Sequence, residues 1–573
     1  MLKQLLSLKN LGGSYQKLQD NVNNGVKTLV YGIPKTARCH LAGFLDSKIL
    51  YICPNKLEAD EVVENFKGLI GDDVEFIPPK PELLLSASAF SKELLFQRMT
   101  AINNIVKKQP KVVVATMESC LGLFPNQKDF KSLCFDIKKG DDISPFDIVA
   151  KLVKCGYART DLLEGQGQFS LRGDILDIYL ISDIAVRIDF FGDTVERIKE
   201  IDTETMKSSG DLEDISIYPI YDVIIKDESR EELLKNVKKS FPKVSNESDE
   251  QKWARRLEEY QNEIATATVS AMGEFLPLID GAATIFDYIA KDTTIVFDDF
   301  NKCYNIATSH NLEHKSRFTS LFEGCEIMRS QLSQMLKIDT AIDISNDFNS
   351  VAFSQFLSTD KGFFPKELLE FKVTPITSYQ SGNEELSRDV ANWLRLGYRI
   401  VLCGKDEDTA KNLVQNITYS GVMTAYLEDS DVEIVGCVTI PNFLDHGFII
   451  HENKIVIIGT LDLLKKATRS ISTKRKKTDT FLSAEVGDYV VHETHGIGYL
   501  KSVSTIKTGN IIKDYAVVEY KGGDVLYVPA EQMDLLVKFS GSDSTPTLSK
   551  LAERNLRTSK KESESHCEKW RSI

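Results

Sequence analysis

The sequence predicts a multidomain α/β protein that ends in a small β-barrel, and three observations carry that expectation. Residues 1–125 alternate short apolar, β-rich runs with helical stretches, the pattern of a parallel sheet flanked by helices. From about Phe146 to Pro219 the apolar period drops to two, which implies a small antiparallel insert. Between Gly487 and Phe539 short runs rich in Val, Tyr and Ile are punctuated by glycine pairs such as Gly522-Gly523, which are strand and hairpin signals. A chain of 573 residues is too long for one core, and roughly 100–200 residues per domain suggests about three to five domains.

Taken in order, Thr28 to Tyr31, Ile49 to Cys53 and Val112 to Thr116 read as buried strands, with Lys56 to Leu69 as a helix between them. Val186 to Phe191 and Thr194 to Ile201 form a hairpin pair joined by Gly192-Asp193. A long helical stretch is expected from Ser248 to Phe275, and Thr293 to Phe297 returns to the buried-strand style of the first domain. The insert therefore interrupts one α/β domain. A further small α/β unit takes Tyr398 to Cys403 and Ile455 to Gly459 as strands, and Ala391 to Leu396 and Thr409 to Ile417 as helices. The barrel strands are Gly487 to His492, Asp514 to Tyr520 and Val525 to Pro529, and the tail after Phe539 is rich in Ser, Thr, Lys and Glu and is expected to be disordered.

Composition narrows the function classes. The formal charge of −14 argues against nucleic acid as the main partner, because binding phosphates needs clustered Lys and Arg. Protein partners fit better. The basic run Lys465 to Lys477 is read as a solvated linker, with weak contact to DNA phosphate as the alternative. No run of eighteen apolar residues and no signal peptide is present, so a cytoplasmic protein without membrane contact is expected. The ten cysteines are scattered without a C-x-x-C pair, as in a reducing compartment. His492-Glu493-Thr494-His495 spaces its histidines three apart, not the four of the helical H-E-x-x-H zinc motif, so no metal site is expected.

The run Gly487-Asp488-Tyr489-Val490-Val491-His492, with Thr494-His495-Gly496-Ile497-Gly498, closely resembles the RNA-polymerase-interacting domain that bacterial transcription-repair coupling factors share with CarD-type regulators. Gly165-Gln166-Gly167-Gln168-Phe169-Ser170-Leu171-Arg172-Gly173-Asp174-Ile175-Leu176-Asp177 and Arg187-Ile188-Asp189-Phe190-Phe191-Gly192-Asp193 resemble the UvrA-binding module of UvrB and the coupling factors. The resemblance spans residues 1 to 540 and is weak over Lys366 to Leu464. It implies a UvrB-like α/β domain with a degenerate P-loop (1–125 and 216–365), a β-rich UvrA-binding insert (126–215), a small α/β domain (366–464), a basic linker (465–484), a CarD-like SH3/Tudor-like β-barrel (485–540) and a tail (541–573). The family continues into DNA-translocating motor domains that use ATP, so the chain is expected to be a short form, a split gene or a frameshifted one. The resemblance accordingly implies no cofactor for this chain, and DNA contact mainly through the motor.

The segment after the first strand, Gly32-Ile33-Pro34-Lys35-Thr36-Ala37-Arg38-Cys39, keeps only the leading glycine of G-x-x-x-x-G-K-[ST]. Ala37, Arg38 and Cys39 stand for the second glycine, the lysine and the magnesium-binding hydroxyl. In the alternative frame that uses Lys35-Thr36, Pro34 has no N–H to give a phosphate. The strand that would carry the acidic metal ligands ends Phe297-Asp298-Asp299-Phe300-Asn301, without D-E-x-H. Nucleotide hydrolysis is not expected. Ile77-Pro78-Pro79-Lys80-Pro81-Glu82-Leu83 stands where UvrB has a Tyr-bearing hairpin that probes DNA, so lesion verification is not expected either.

On strand geometry Val186, Ile188 and Phe190 form a buried set and send Arg187, Asp189 and Phe191 to the opposite face. An exposed ring beside Arg is a plausible hot spot; the bland alternative has Phe191 covered by a hairpin and Arg187 paired with Asp189. The resemblance favours contact and implies Arg172, Arg187 and Phe191 as the UvrA-binding residues. It also implies that Thr505, Ile506 and Lys507 pair with the β subunit of RNA polymerase by strand addition.

Overall fold

The computed structural model describes residues 13–80, 92–463 and 488–538, apart from 203–204, 206, 245, 356, 358–361, 377–378, 380–382, 420, 428–434, 442–443, 493–495, 509–510, 521–524 and 530–535. The chain divides into two compact units, 1–466 and 467–573.

Unit one begins with β1 (Thr28–Tyr31), β2 (Ile49–Cys53), β3 (Val74–Ile77) and β4 (Val112–Thr116). The chain then leaves this sheet for β5 (Phe135–Lys138), β6 (Ala158–Arg159), β7 (Gln168–Arg172), β8 (Ile175–Tyr179), β9 (Ala185–Phe191), β10 (Thr194–Ile201), β11 (Ser208–Leu212) and β12 (Asp214–Ile217). A short pair, β13 (Val223–Ile224) and β14 (Val269–Ser270), precedes the return through β15 (Thr294–Asp298), β16 (Asn349–Phe353) and β17 (Glu367–Glu370). The first sheet runs β17-β1-β16-β15-β2-β4-β3, with every pairing parallel. Strands from both sides of residues 135–270 thus share one sheet, which makes the intervening segment an insertion. β2, β4 and β15 are buried at every position, as expected for parallel strands covered on both faces. The helix Lys56–Ile70 starts where the Asn55 side chain accepts from Glu58 N–H at 3.0 Å, and stops at Gly71.

Two expectations need correction here. The division drawn between 365 and 366 falls inside the first sheet, because β17 at Glu367–Glu370 pairs with β1. The helix expected through Phe275 is Glu247–Thr266, and the chain then turns through β14 and a 3₁₀ segment at Gly273–Leu278. Trp253, Tyr260 and Ile264 are buried along that helix; the apolar residues beyond it belong to the following turns.

The insert is a six-stranded sheet in the order β11-β10-β9-β8-β7-β6. Its inner face, which includes Phe169, Leu176, Ile178, Val186, Ile188, Phe190 and Ile198, joins the main core together with Ile148 and Leu152 of the helix Pro145–Lys154. One covered face produces the alternation along β9 from Val186 to Phe191, and β10 follows it on either side of the irregularity between Val195 and Arg197.

The rest of unit one holds β18 (Val373–Pro375), β19 (Arg399–Gly404), β20 (Thr424–Tyr426), β21 (Cys437–Pro441), β22 (Phe448–Ile450) and β23 (Ile455–Ile458), in the order β18-β22-β23-β19-β21-β20. Its Val401, Cys403, Phe448 and Ile457 share a cluster with Val30, Tyr51 and Phe66 of the first domain, and the buried His40 ring stacks on Phe448 at 5.4 Å.

Unit two contains β24 (Tyr489–His492), β25 (Gly496–Thr508), β26 (Ile511–Glu519), β27 (Val525–Pro529) and β28 (Leu536–Lys538). They form an antiparallel sheet in the order β27-β26-β25-β24-β28 around Val490, Leu500, Ala516, Val518, Tyr520, Val528 and Leu536. The basic run 465–477, the hairpin-replacing residues 81–91, the histidine-bearing turn 493–495 and the tail from 539 lie outside the described residues.

Candidate protein-interaction site

Two hairpins build the candidate site. β7 joins β8 through Gly173-Asp174, with Arg172 opposite Ile175; β9 joins β10 through Gly192-Asp193, with Phe191 opposite Thr194. A two-residue hairpin turn needs a residue at positive φ, and Gly173 (+61°) and Gly192 (+64°) supply it. β8 pairs with β9 so that Ile175 faces Asp189 and Asp177 faces Arg187. Both tips therefore lie at the same end of the sheet.

The outward face is covered at the far end only. There Leu163, Ala185 and Ile201 form a small apolar cluster with Tyr179, and Ser170 Oγ donates to the Asp161 carbonyl at 3.1 Å. Toward the hairpin tips the face is open. Phe191 is 80% exposed and Ile175 is 39% exposed, so the bland expectation that a hairpin covers Phe191 is incorrect. Arg187 is not held by Asp189 either. Its Nε donates to Asp177 Oδ1 at 2.6 Å and its Nη2 to Asp177 Oδ2 at 2.9 Å, while Asp189 takes Lys199 at 2.6 Å. The reason is register. Asp177 stands directly across from Arg187 on β8, where a side chain meets its partner squarely, whereas Asp189 lies two places along the same strand.

Arg172 Nη2 donates to the same Asp177 Oδ2 at 2.6 Å. One fully buried carboxylate thus holds two guanidiniums whose side chains are 51% (Arg172) and 24% (Arg187) exposed. Donation to the Asp177 carboxylate holds Arg187 above its ordinary pKa. The structure places Arg172, Arg187, Asp189 and Phe191 on one face, as expected, and adds Asp177, Ile175 and Lys199, the partner of Asp189. The available signal was the Gly-Asp turn, which sets Arg172 opposite Ile175 and so places Asp177 within diagonal reach.

The segment at the nucleotide-loop position is closed upon itself. Gly32 takes φ +76°, and a Cβ there would meet the Phe371 carbonyl oxygen at 2.5 Å, so this glycine serves close packing of the chain. Ala37 N–H donates to the Pro34 carbonyl at 3.0 Å. Arg38 and Asp298, both buried, form a direct ion pair between the position of the P-loop lysine and the end of β15. Burial pushes the Asp298 carboxyl upward and Arg38 offsets only part of that, yet the contact of two opposite buried groups is that of an ion pair. Burial also raises the Cys39 thiol. Lys35, the lysine of the alternative frame, pairs with Glu61 at 2.6 Å and Glu58 at 3.6 Å.

In unit two, β25 pairs through Thr505, Ile506 and Lys507 with Asp514, Lys513 and Ile512 of β26. β24 reaches only Gly496 to Tyr499 of β25. Among the described residues, no strand pairs with the other edge of β25 from Val503 to Thr508. No group of three or more metal-ligating side chains occurs among the described residues, and none of their helices is long and apolar enough to cross a membrane.

Residues 135–222 match the family described as UvrB interaction domain, and residues 485–540 match the CarD-like/TRCF RID domain. The fold and the open insert face thus belong to a multidomain protein that combines a UvrB-type interaction module with a CarD-like one. The chain is 25% identical over 579 residues to the transcription-repair-coupling factor of Bacillus subtilis (strain 168), covering 96% of this chain and 48% of that protein. It is 25% identical over 560 residues to the same-named protein of Staphylococcus haemolyticus (94% and 47%), and 24% identical over 548 residues to that of Staphylococcus aureus strain bovine RF122/ET3-1 (91% and 46%). The chain spans about half the length of the curated relatives it matches, and its domain content is that of the N-terminal region of a transcription-repair-coupling factor.

Proposed function

We propose that this chain acts in the cytoplasm as an adaptor in transcription-coupled DNA repair, engaging RNA polymerase through unit two and UvrA through the insert, with no nucleotide chemistry at residues 32–39. The observation that carries this reading is the insert face, where Arg172, Arg187 and an 80% exposed Phe191 share one side of the sheet within the residues matched to the UvrB interaction domain. An exposed aromatic and ordered guanidiniums on one face are the composition of an interface centre. In unit two, the long β25 with an open edge suits strand addition, and we read its sheet as an SH3/Tudor-like module binding the polymerase β subunit. Residues 465–484 contribute at most weak DNA contact in this scheme.

Titration of purified UvrA against the wild type, Arg187→Ala and Phe191→Ala tests the reading. Each substitution is expected to weaken binding by roughly 1–4 kcal/mol without unfolding the chain. Absence of wild-type binding, or equal binding by all three, would leave the second reading, a CarD-type regulator acting on the polymerase alone, which the match at residues 485–540 favours.

A further inference from the structure

We propose that Asp177 is the positioning residue of the insert face: it aims Arg172 and Arg187 as one fork on the face that carries Phe191, and that face fits a site on UvrA with carboxylates and, further along, an apolar socket. This inference rests on the UvrA-binding reading above and adds the geometry by which that face would discriminate.

Asp177 is fully buried and accepts from Arg187 Nε, Arg187 Nη2 and Arg172 Nη2. Arg187 is held through Nε and Nη2 and Arg172 through Nη2 alone, so Nη1 of Arg187 and Nε and Nη1 of Arg172 stay outside the contact with Asp177. A guanidinium held along one edge, as Arg187 is, presents a fixed plane, and planar donors match carboxylates bidentately. Two guanidiniums share one carboxylate, so the cluster keeps a net positive charge and calls for an acidic counterpart. Phe191 and Ile175, the exposed apolar groups on the same face, call for an apolar socket further along it. Unheld, both arginines would lose considerable rotamer freedom on binding.

The test separates aim from charge. Asp177→Asn preserves shape but leaves one acceptor atom for three donors, and it makes the face more positive. If charge alone governed binding, an acidic partner would hold this variant at least as tightly as the wild type. Positioning instead requires roughly tenfold or greater weakening. Asp189→Asn, which makes the same charge change at the Lys199 pair, should stay within about twofold of the wild type. Arg187→Lys keeps the charge and loses the fork, and it should weaken binding to a similar degree as Asp177→Asn; it serves as the deciding variant should Asp177→Asn fail to fold. A second readout needs no partner: the Arg187 Nε–H resonance should be protected from solvent exchange in the wild type and lose that protection in Asp177→Asn. Wild-type-like UvrA affinity in both Asp177→Asn and Arg187→Lys, with Arg187→Ala impaired, would overturn the positioning role while sparing the adaptor. An unprotected Nε–H in the wild type would overturn it whatever UvrA does. Failure of wild-type UvrA binding alone counts against the adaptor reading and the proposed partner site.

Discussion

Glu75 lies on β3, the edge strand of the first sheet, where its carboxylate accepts from Asn104 Nδ2 at 3.0 Å. Burial outweighs that bond and pushes the group from 4.5 to about 7. A carboxyl raised on folding binds its proton more tightly in the folded state, so its contribution to stability is full below pH 4.5 and is lost as pH rises through about 7. Stability of unit one should therefore decline between pH 5 and pH 8 by on the order of 2–3 kcal/mol from this group. Glu75→Gln, which mimics the protonated form, should flatten that slope and raise the melting temperature at pH 8. Thermal melts of both proteins at pH 5 and pH 8 check it, and parallel slopes would refute the assignment.

β9 and β25 share a logic at the scale of the element: each offers to solvent what its sheet does not use. β9 buries Val186, Ile188 and Phe190 and turns Phe191 outward. β25 runs well past the end of β24, so backbone groups on one edge lack a strand partner among the described residues. Unpaired edges are templates for another strand. On the proposed function, Ile506→Asp places a charge in the apolar contact and should cost on the order of 2–4 kcal/mol of polymerase affinity. Pull-down of the polymerase β subunit by wild type and variant measures this, and unchanged capture would move the interface off this edge.

At the scale of the whole molecule, the chain carries a formal charge of −14, and in unit one residues 32–39 are tied to the end of β15 by the buried Arg38–Asp298 pair. Breaking a buried ion pair by removing one partner typically costs about 3–5 kcal/mol, so Arg38 contributes to the fold, and on the proposed function the pair leaves no cradle for a phosphate. A fluorescent ATP analogue should show no saturable binding up to about 1 mM, the range of association worth about −4 kcal/mol. Saturation displaced by plain ATP would reverse the proposal that residues 32–39 carry no nucleotide chemistry.

Local chemistry made much of this legible in the sequence. The alternation along Val186 to Phe191 showed which residues face the core, because successive strand side chains point to opposite faces whatever lies beyond them. The broken glycine and lysine pattern at Gly32 to Cys39 and the mostly apolar runs of β2, β4 and β15 are equally local. Partner identity is a different matter. That Arg187 meets Asp177 depends on the register of two hairpins, that Arg38 meets Asp298 depends on two segments 260 residues apart, and that β17 completes the first sheet depends on parallel pairing with β1. Such contacts form only when distant strands are brought into one sheet, and no period or propensity within a segment encodes which distant segment it will meet.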